Sequence, residues 1–175
     1  EKIKFNVATL FFLFIILLFG FFKCIIPDTS YDTANYHILN QIPGFVNNVS
    51  EKIFPGYFQM FVFRLSDRLF YIFRIVFGYR VGTLLNSVII CLSYFQVILI
   101  IKKIINSEHK IINDTFIPIL SFFSVFTYGV IMQSGTYMVD IISLPIVFEL
   151  VLFLIADEES DVKSIIFCLF GGVYF

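Results

Sequence analysis

The stretch FNVATLFFLFIILLFGFFKCII, residues 5–26, is interrupted only by Asn6, Thr9 and Lys23. It meets the length of about 20 predominantly apolar residues that a helix needs to cross a bilayer. Val81 to Ile101 repeats the pattern without a single charge, and Phe116 to Met132 and Ile141 to Ile155 are shorter versions, the latter carrying Glu149. Ser164 to Phe175 begins a further run. Lipid offers the backbone no hydrogen-bond partners, so each run is expected to be helical. With 59% hydrophobic and 14% charged residues, the chain has too little polar surface for a water-soluble domain, which normally carries about a quarter charged residues. The expected fold class is all-α, a polytopic transmembrane helical bundle.

Several functions fall away at once. The net charge is −1 and there is neither a basic tail nor a Gly-rich phosphate loop, so no nucleic-acid partner is expected. Cys24, Cys91 and Cys168 all lie in apolar runs without CxxC spacing. They read as small hydrophobes rather than as metal ligands or a disulfide. The chain starts on Glu1 without an initiator Met and stops inside IIFCLFGGVYF, a run too short to span, so a fragment of a longer protein is expected. The first run exceeds the 7–15 residues of a signal-peptide core and no A-x-A site follows it, which makes it a retained helix.

Lysines set the orientation. Two lie in Glu1–Lys4 and three in KKIINSEHK, residues 102–110, and both segments are expected on the cytoplasmic side. Spans at 5–26 and 81–101 then leave residues 27–80 as one long outer loop. Span 116–132 returns outward, QSGTYM (133–138) turns, 139–155 comes back, DEESDVK (157–163) is an inner loop, and 164–175 opens an incomplete fifth span.

A further span over 57–77 would bury Arg64, Asp67, Arg68 and Arg74, each costing about 2.5–3.5 kcal/mol at a helix centre. At 100° per residue those four and Tyr71 fall instead on one stripe of about 120°. An amphipathic helix at the outer interface is expected. A second helical piece is expected within 33–49, broken at Pro43-Gly44.

The acids are the candidate chemistry. Asp28 and Asp32 follow directly on the first span, and Asp32 alone reads equally as an N-cap for the following helix. Asp140 stands at the outer end of its span, where a carboxylate is also favoured by the helix dipole. The expected topology places all three on one face, as a shared site requires. Glu149 sits nominally in mid-span, where an acid is a functional hypothesis by default, although a structural acid reads as well. Arg64, Arg68, Arg74 and Arg80 put cations on the outer side, against the usual bias. Guanidinium matches phosphate oxygens in a bidentate fork, so lipid phosphate or generic headgroup contact accounts for them.

YDTANYHI after the first span, FPGYFQMFVFRL in the outer loop and SGTYMVDIISLPIVFELVLFL together resemble the amino-terminal third of bacterial membrane glycosyltransferases of the GT-C type. That group includes the protein O-mannosyltransferases and the aminoarabinose transferases. The match covers essentially the whole chain and rests on order and topology more than on any single word. Asp32, Tyr36 and His37 match the D-x-x-x-Y-H of the group's outer loop, and Asp140 matches a second acid near the outer end of the fourth span. The resemblance implies sugar transfer from a polyprenyl-phosphate donor to a glycan, lipid or protein acceptor, at the outer face of a bacterial inner membrane. Under it, Asp32 is general base, Tyr36 and His37 line the substrate, and Arg64 and Arg68 face the leaving phosphate by location alone. Asp140 orients the acceptor or helps to hold a divalent ion. Some members use a metal and others do not, and none is expected here. The alternatives are a transporter or channel subunit with Asp140 and Glu149 in the path, and a structural membrane subunit.

Overall fold

The computed structural model describes residues 6–26, 65–105, 109–134, 136 and 140–155, with the backbone alone described for 65–68. Among the described residues all regular structure is helical, in the order α1 Val7–Ile25, α2 Leu65–Phe77, α3 Tyr79–Gly82, α4 Leu84–Ile105, a π turn Ile112–Phe116, α5 Ile117–Val125, α6 Tyr128–Gln133, a 3-10 turn Asp140–Ile142, and α7 Ser143–Ile155. Two of the described stretches, Val7–Ile25 and Tyr79–Ile105, are long and apolar enough to cross a membrane.

The ends of α1 follow from local chemistry. Asn6 is extended, and its side chain accepts the Thr9 amide at 2.7 Å, satisfying one of the unpaired donors of the first turn. At the other end Ile26 turns extended, the conformation that a following proline, here Pro27, favours because its ring crowds the helical one.

Helix α4 is the centre of the bundle and packs against α1, α5 and α7. Its buried residues, among them Ile90, Tyr94 and Ile98, meet Ile16 of α1, Ile117 and Phe122 of α5, and Ile141. Phe12 of α1 stacks on Phe122 with ring centroids 4.6 Å apart. The outer surface of α1 differs from that of a water-soluble bundle. Every exposed position of α1 (Val7, Leu10, Phe11, Phe14, Leu17, Leu18, Phe21, Phe22 and Ile25) is apolar, while Thr9, Gly20 and Cys24 face inward. Asn86, Ser87, Ser93 and Ser121 are likewise fully buried. Small and polar residues set among the apolar ones between helices, together with large apolar residues outside, fit a surround of lipid. The serines need no distant partners, since Ser93 and Ser121 donate to the carbonyls of Ile89 and Ile117 four residues back.

The expected span 116–132 is not one helix. Pro118 has no N–H for the preceding turn, and its ring crowds the carbonyl four residues earlier. The chain opens into the π turn just before it, with Ile117 donating to the Ile112 carbonyl. Helix α5 then stops at Phe126, whose φ −85° and ψ 59° with the Thr127 N–H to Val125 carbonyl bond of 2.9 Å make an inverse γ-turn. The Phe126 ring stacks on Phe122 at 5.0 Å and meets Phe19 edge-on at 5.5 Å. Tertiary packing therefore holds a turn that periodicity in an apolar run does not reveal.

Only residues 65–77 of the expected interfacial helix are described, as α2, and the second helical piece in 33–49 lies outside the described residues. Phe70 is fully buried against Leu85 and Ile142. Leu69, Ile72, Ile75, Val76 and Phe77 are exposed, and Arg74 stands 5.7 Å from the centroid of the Tyr71 ring. Gly78 closes α2 with its N–H on the Arg74 carbonyl at 2.9 Å. Its φ of 83° and ψ of 168° lie in a region open essentially only to glycine.

Candidate functional site

The polar residues of the bundle gather at its two ends and at one point between them. At one end the Lys103 ammonium donates to the Ile155 carbonyl at 3.3 Å, closing the carboxy-terminal end of α7 with a cation, as the helix dipole favours. Asn6, at the start of α1, reaches the Asn113 carbonyl at 3.5 Å.

The opposite end is built on α4. Asn86 has no exposed surface and donates through Nδ2 to the carbonyls of Gln133 (3.1 Å) and Thr136 (3.0 Å). The Thr136 hydroxyl and amide return to the Gln133 carbonyl at 2.7 and 3.1 Å. Ser134 meets Ser87 oxygen to oxygen at 3.3 Å. The turn after α6 is thus held onto α4 by side chains. From this anchored turn the Gln133 amide donates to Asp140 Oδ2 at 3.1 Å. The Ser143 hydroxyl donates to the Asp140 carbonyl at 2.6 Å, tying down the 3-10 turn that starts α7.

Asp140 is consequently an exposed carboxylate on a restrained backbone, with one oxygen engaged by an amide. Its other oxygen has no hydrogen bond among the described residues. Such a group can take a proton from a hydroxyl, orient a hydroxyl by accepting from it, or contribute one ligand to a cation. Among the described residues no three His, Cys, Asp or Glu side chains come together, so Asp140 by itself does not make a metal centre.

The end of the bundle that holds Asp140 is also where α1 finishes. Gly20 lies directly against Ser87, Ser87 meets Ser134, and Gln133 meets Asp140. From Ile26 the chain runs on to Asp28 and Asp32. Asp32, Tyr36, His37 and Arg64 lie outside the described residues, and Arg68 is placed on α2 by its backbone alone. Arg80 stands on α3, which packs against α1 near Cys24. Glu149 belongs to neither end. It is exposed on α7 and accepts from the Gln96 amide of α4 at 3.0 Å.

Asn86, Gln96 and Gln133 were not singled out by sequence reasoning. The available signal was the cost of an uncharged amide in an apolar run. Asn86 and Gln96 are the amide side chains in Val81–Ile101, and both reach across to another helix or turn.

An Asn86→Ala variant is expected to remove the amide donor that ties the Gln133 and Thr136 carbonyls to α4, costing about 1–3 kcal/mol. Hydrogen exchange should accelerate at the Ser134 and Thr136 amides while the middle of α4 stays protected. Unchanged exchange in the turn would show that Asn86 does not hold it.

Compared with family models, with curated proteins and with solved structures, the chain matches none.

Proposed function

We propose that the chain is part of an integral membrane glycosyltransferase of the GT-C type, which moves a sugar from a polyprenyl-phosphate donor to an acceptor hydroxyl at the outer face of a bacterial inner membrane. The observation that supports this most is the placement of Asp140 on an anchored turn at the end of the bundle where α1 finishes and the chain proceeds to Asp32. In this reading Asp32 shares one lipid–water boundary with Asp140, which suits a donor whose phosphate lies at the headgroups and whose tail lies in the bilayer. The exposed apolar shell of α1 gives that tail, and the bundle itself, a lipid environment.

In the reaction, Asp32 takes the proton of the acceptor hydroxyl as the hydroxyl oxygen bonds to the anomeric carbon. The bond from that carbon to the phosphate oxygen breaks, and its electron pair leaves with polyprenyl phosphate. Asp140 accepts a hydrogen bond from the acceptor and fixes its approach. Arg64 and Arg68 offset the charge that develops on the phosphate, and Tyr36 and His37 line the sugar. Where a divalent ion takes part, Asp140 contributes one ligand.

The transporter reading requires acids along an internal path. Glu149 faces the outside of the bundle and sits about 13 Å along the helix from Asp140, at 1.5 Å per residue, which favours the transferase. The test is a transfer assay with the full-length protein in vesicles and radiolabelled polyprenyl-monophosphate sugars. Release of polyprenyl phosphate with label in the acceptor fraction is expected. Its absence across hexosyl and pentosyl donors would sink the reading.

A further inference from the structure

The Gln96–Glu149 pair takes no part in the chemistry proposed for the bundle end, and it lies between the two ends on a face that no described residue covers. Glu149 stands nine residues from Asp140 and six from Ile155, roughly 13 and 9 Å along the axis. Helix α7 buries none of its residues, and Val147, Leu150 and Leu154 leave 47, 36 and 72% of their surface exposed.

The chemistry of the pair defines what it lacks. Gln96 Nε2 donates to the Pro145 carbonyl and to Glu149 Oε2, both at 3.0 Å. Two acceptors on that side require the NH2 group there, since a flipped amide would set oxygen against oxygen. The amide oxygen, Gln96 Oε1, therefore points elsewhere, and it is buried without a partner among the described residues. Glu149 likewise has no cation beside it among the described residues. On the exposed face it is the Glu149 carboxyl group that offers acceptor positions, and what the face lacks among the described residues is a further donor.

We propose that the α4–α7 face around Glu149 docks a transmembrane helix from a partner chain that carries a lysine or arginine near its own midpoint. Charge complementarity selects this occupant over an all-apolar helix or lipid, because a cationic donor brings an acid in an apolar surround both a hydrogen bond and an opposite charge. Apolar Val147, Leu150 and Leu154 supply the packing on either side, and the single acid supplies depth and register, as one polar residue does in helix pairing. The proposal rests on the membrane reading but not on the sugar-transfer reading.

The experiment reconstitutes the labelled full-length protein in phosphatidylcholine vesicles. Energy transfer is then measured to synthetic polyleucine transmembrane peptides with a central Lys, Gln or Leu. The Lys peptide is expected to associate about tenfold more tightly than the Leu peptide. Glu149→Leu should abolish that preference. Glu149→Gln, which keeps an oxygen for the Gln96 bond, should leave the Lys and Gln peptides indistinguishable. Equal association of the Lys and Leu peptides with the wild type overturns the proposal, as does a Lys preference that survives in Glu149→Leu with helicity intact. Alkaline carbonate washing separates the two failures. Extraction of the protein removes the membrane reading and the proposal together, whereas retention without Lys preference removes the proposal alone.

Discussion

Asp32→Asn is expected to lower sugar transfer by about a thousandfold, within the range a positioned general base contributes. The amide keeps the shape of the carboxyl and its capacity to accept a hydrogen bond, but it cannot take the acceptor's proton. Asp140→Asn is expected to lose less, about ten- to a hundredfold, with the damage concentrated in the acceptor's KM. The Gln133 amide that meets Asp140 Oδ2 at 3.1 Å can donate equally well to an Asn oxygen, so the turn should survive and only the charge be lost. Both variants should insert and fold as the wild type does, which carbonate resistance and circular dichroism check. Full transfer by Asp32→Asn would remove Asp32 from the base role. Full transfer by Asp140→Asn would reduce the anchored turn to a structural feature.

Gly20→Val is expected to separate α1 from α4 and to be the most destabilising single change among the described residues. A Cβ at Gly20 would stand 1.8 Å from the Ser87 hydroxyl oxygen and 2.6 Å from Ser87 Cβ. Rotating the hydroxyl relieves the first contact, but the second involves an atom fixed to the α4 backbone, so the helices must move apart. Two effects compete in the smaller Gly20→Ala change. Helix propensity alone would stabilise the alanine by about 1 kcal/mol, whereas overpacking a close helix contact costs about 1–3 kcal/mol. A lower unfolding midpoint in detergent is therefore expected, and a higher one would show that propensity wins and that the contact is not tight. Ser87→Gly introduced with Gly20→Ala should recover much of the loss, because it removes the atoms that the new methyl meets. The same contact links α1 to the Ser134 turn, so loosening it should also speed exchange near Asp140.

Helical class, the two long apolar stretches and the charged residues that end them are local properties, and they are legible one residue at a time. Asn6 as a cap and Ile26 before Pro27 bound α1 within a residue or two of the expected 5–26. Expected 81–101 lies inside Tyr79–Ile105, and expected 139–155 matches the 3-10 turn and α7 over Asp140–Ile155. The division of 116–132 was illegible. Phe126 is one of many phenylalanines in an apolar run, and what marks it out is the position of Phe19 and Phe122 around it. The interior of the bundle was also hidden. Apolar residues occupy every side of α1, so periodicity could not tell the outward side from the inward one, and the inward face is the one that carries Thr9, Ile16, Gly20 and Cys24.

Asp140 was visible in the sequence as an acid at the end of an apolar run, a position with an electrostatic reason of its own. That it is held by Gln133, that Gln133 is held by Asn86, and that Glu149 is exposed and paired with Gln96 were decided only by the tertiary structure. The physical reason is range. Hydropathy, capping and the proline effect act within a few residues, and the sequence by itself determined them. A hydrogen bond between Asn86 and Thr136, or a helix approach that only Gly20 permits, depends on which helix faces lie together, and that exists only once the bundle has packed.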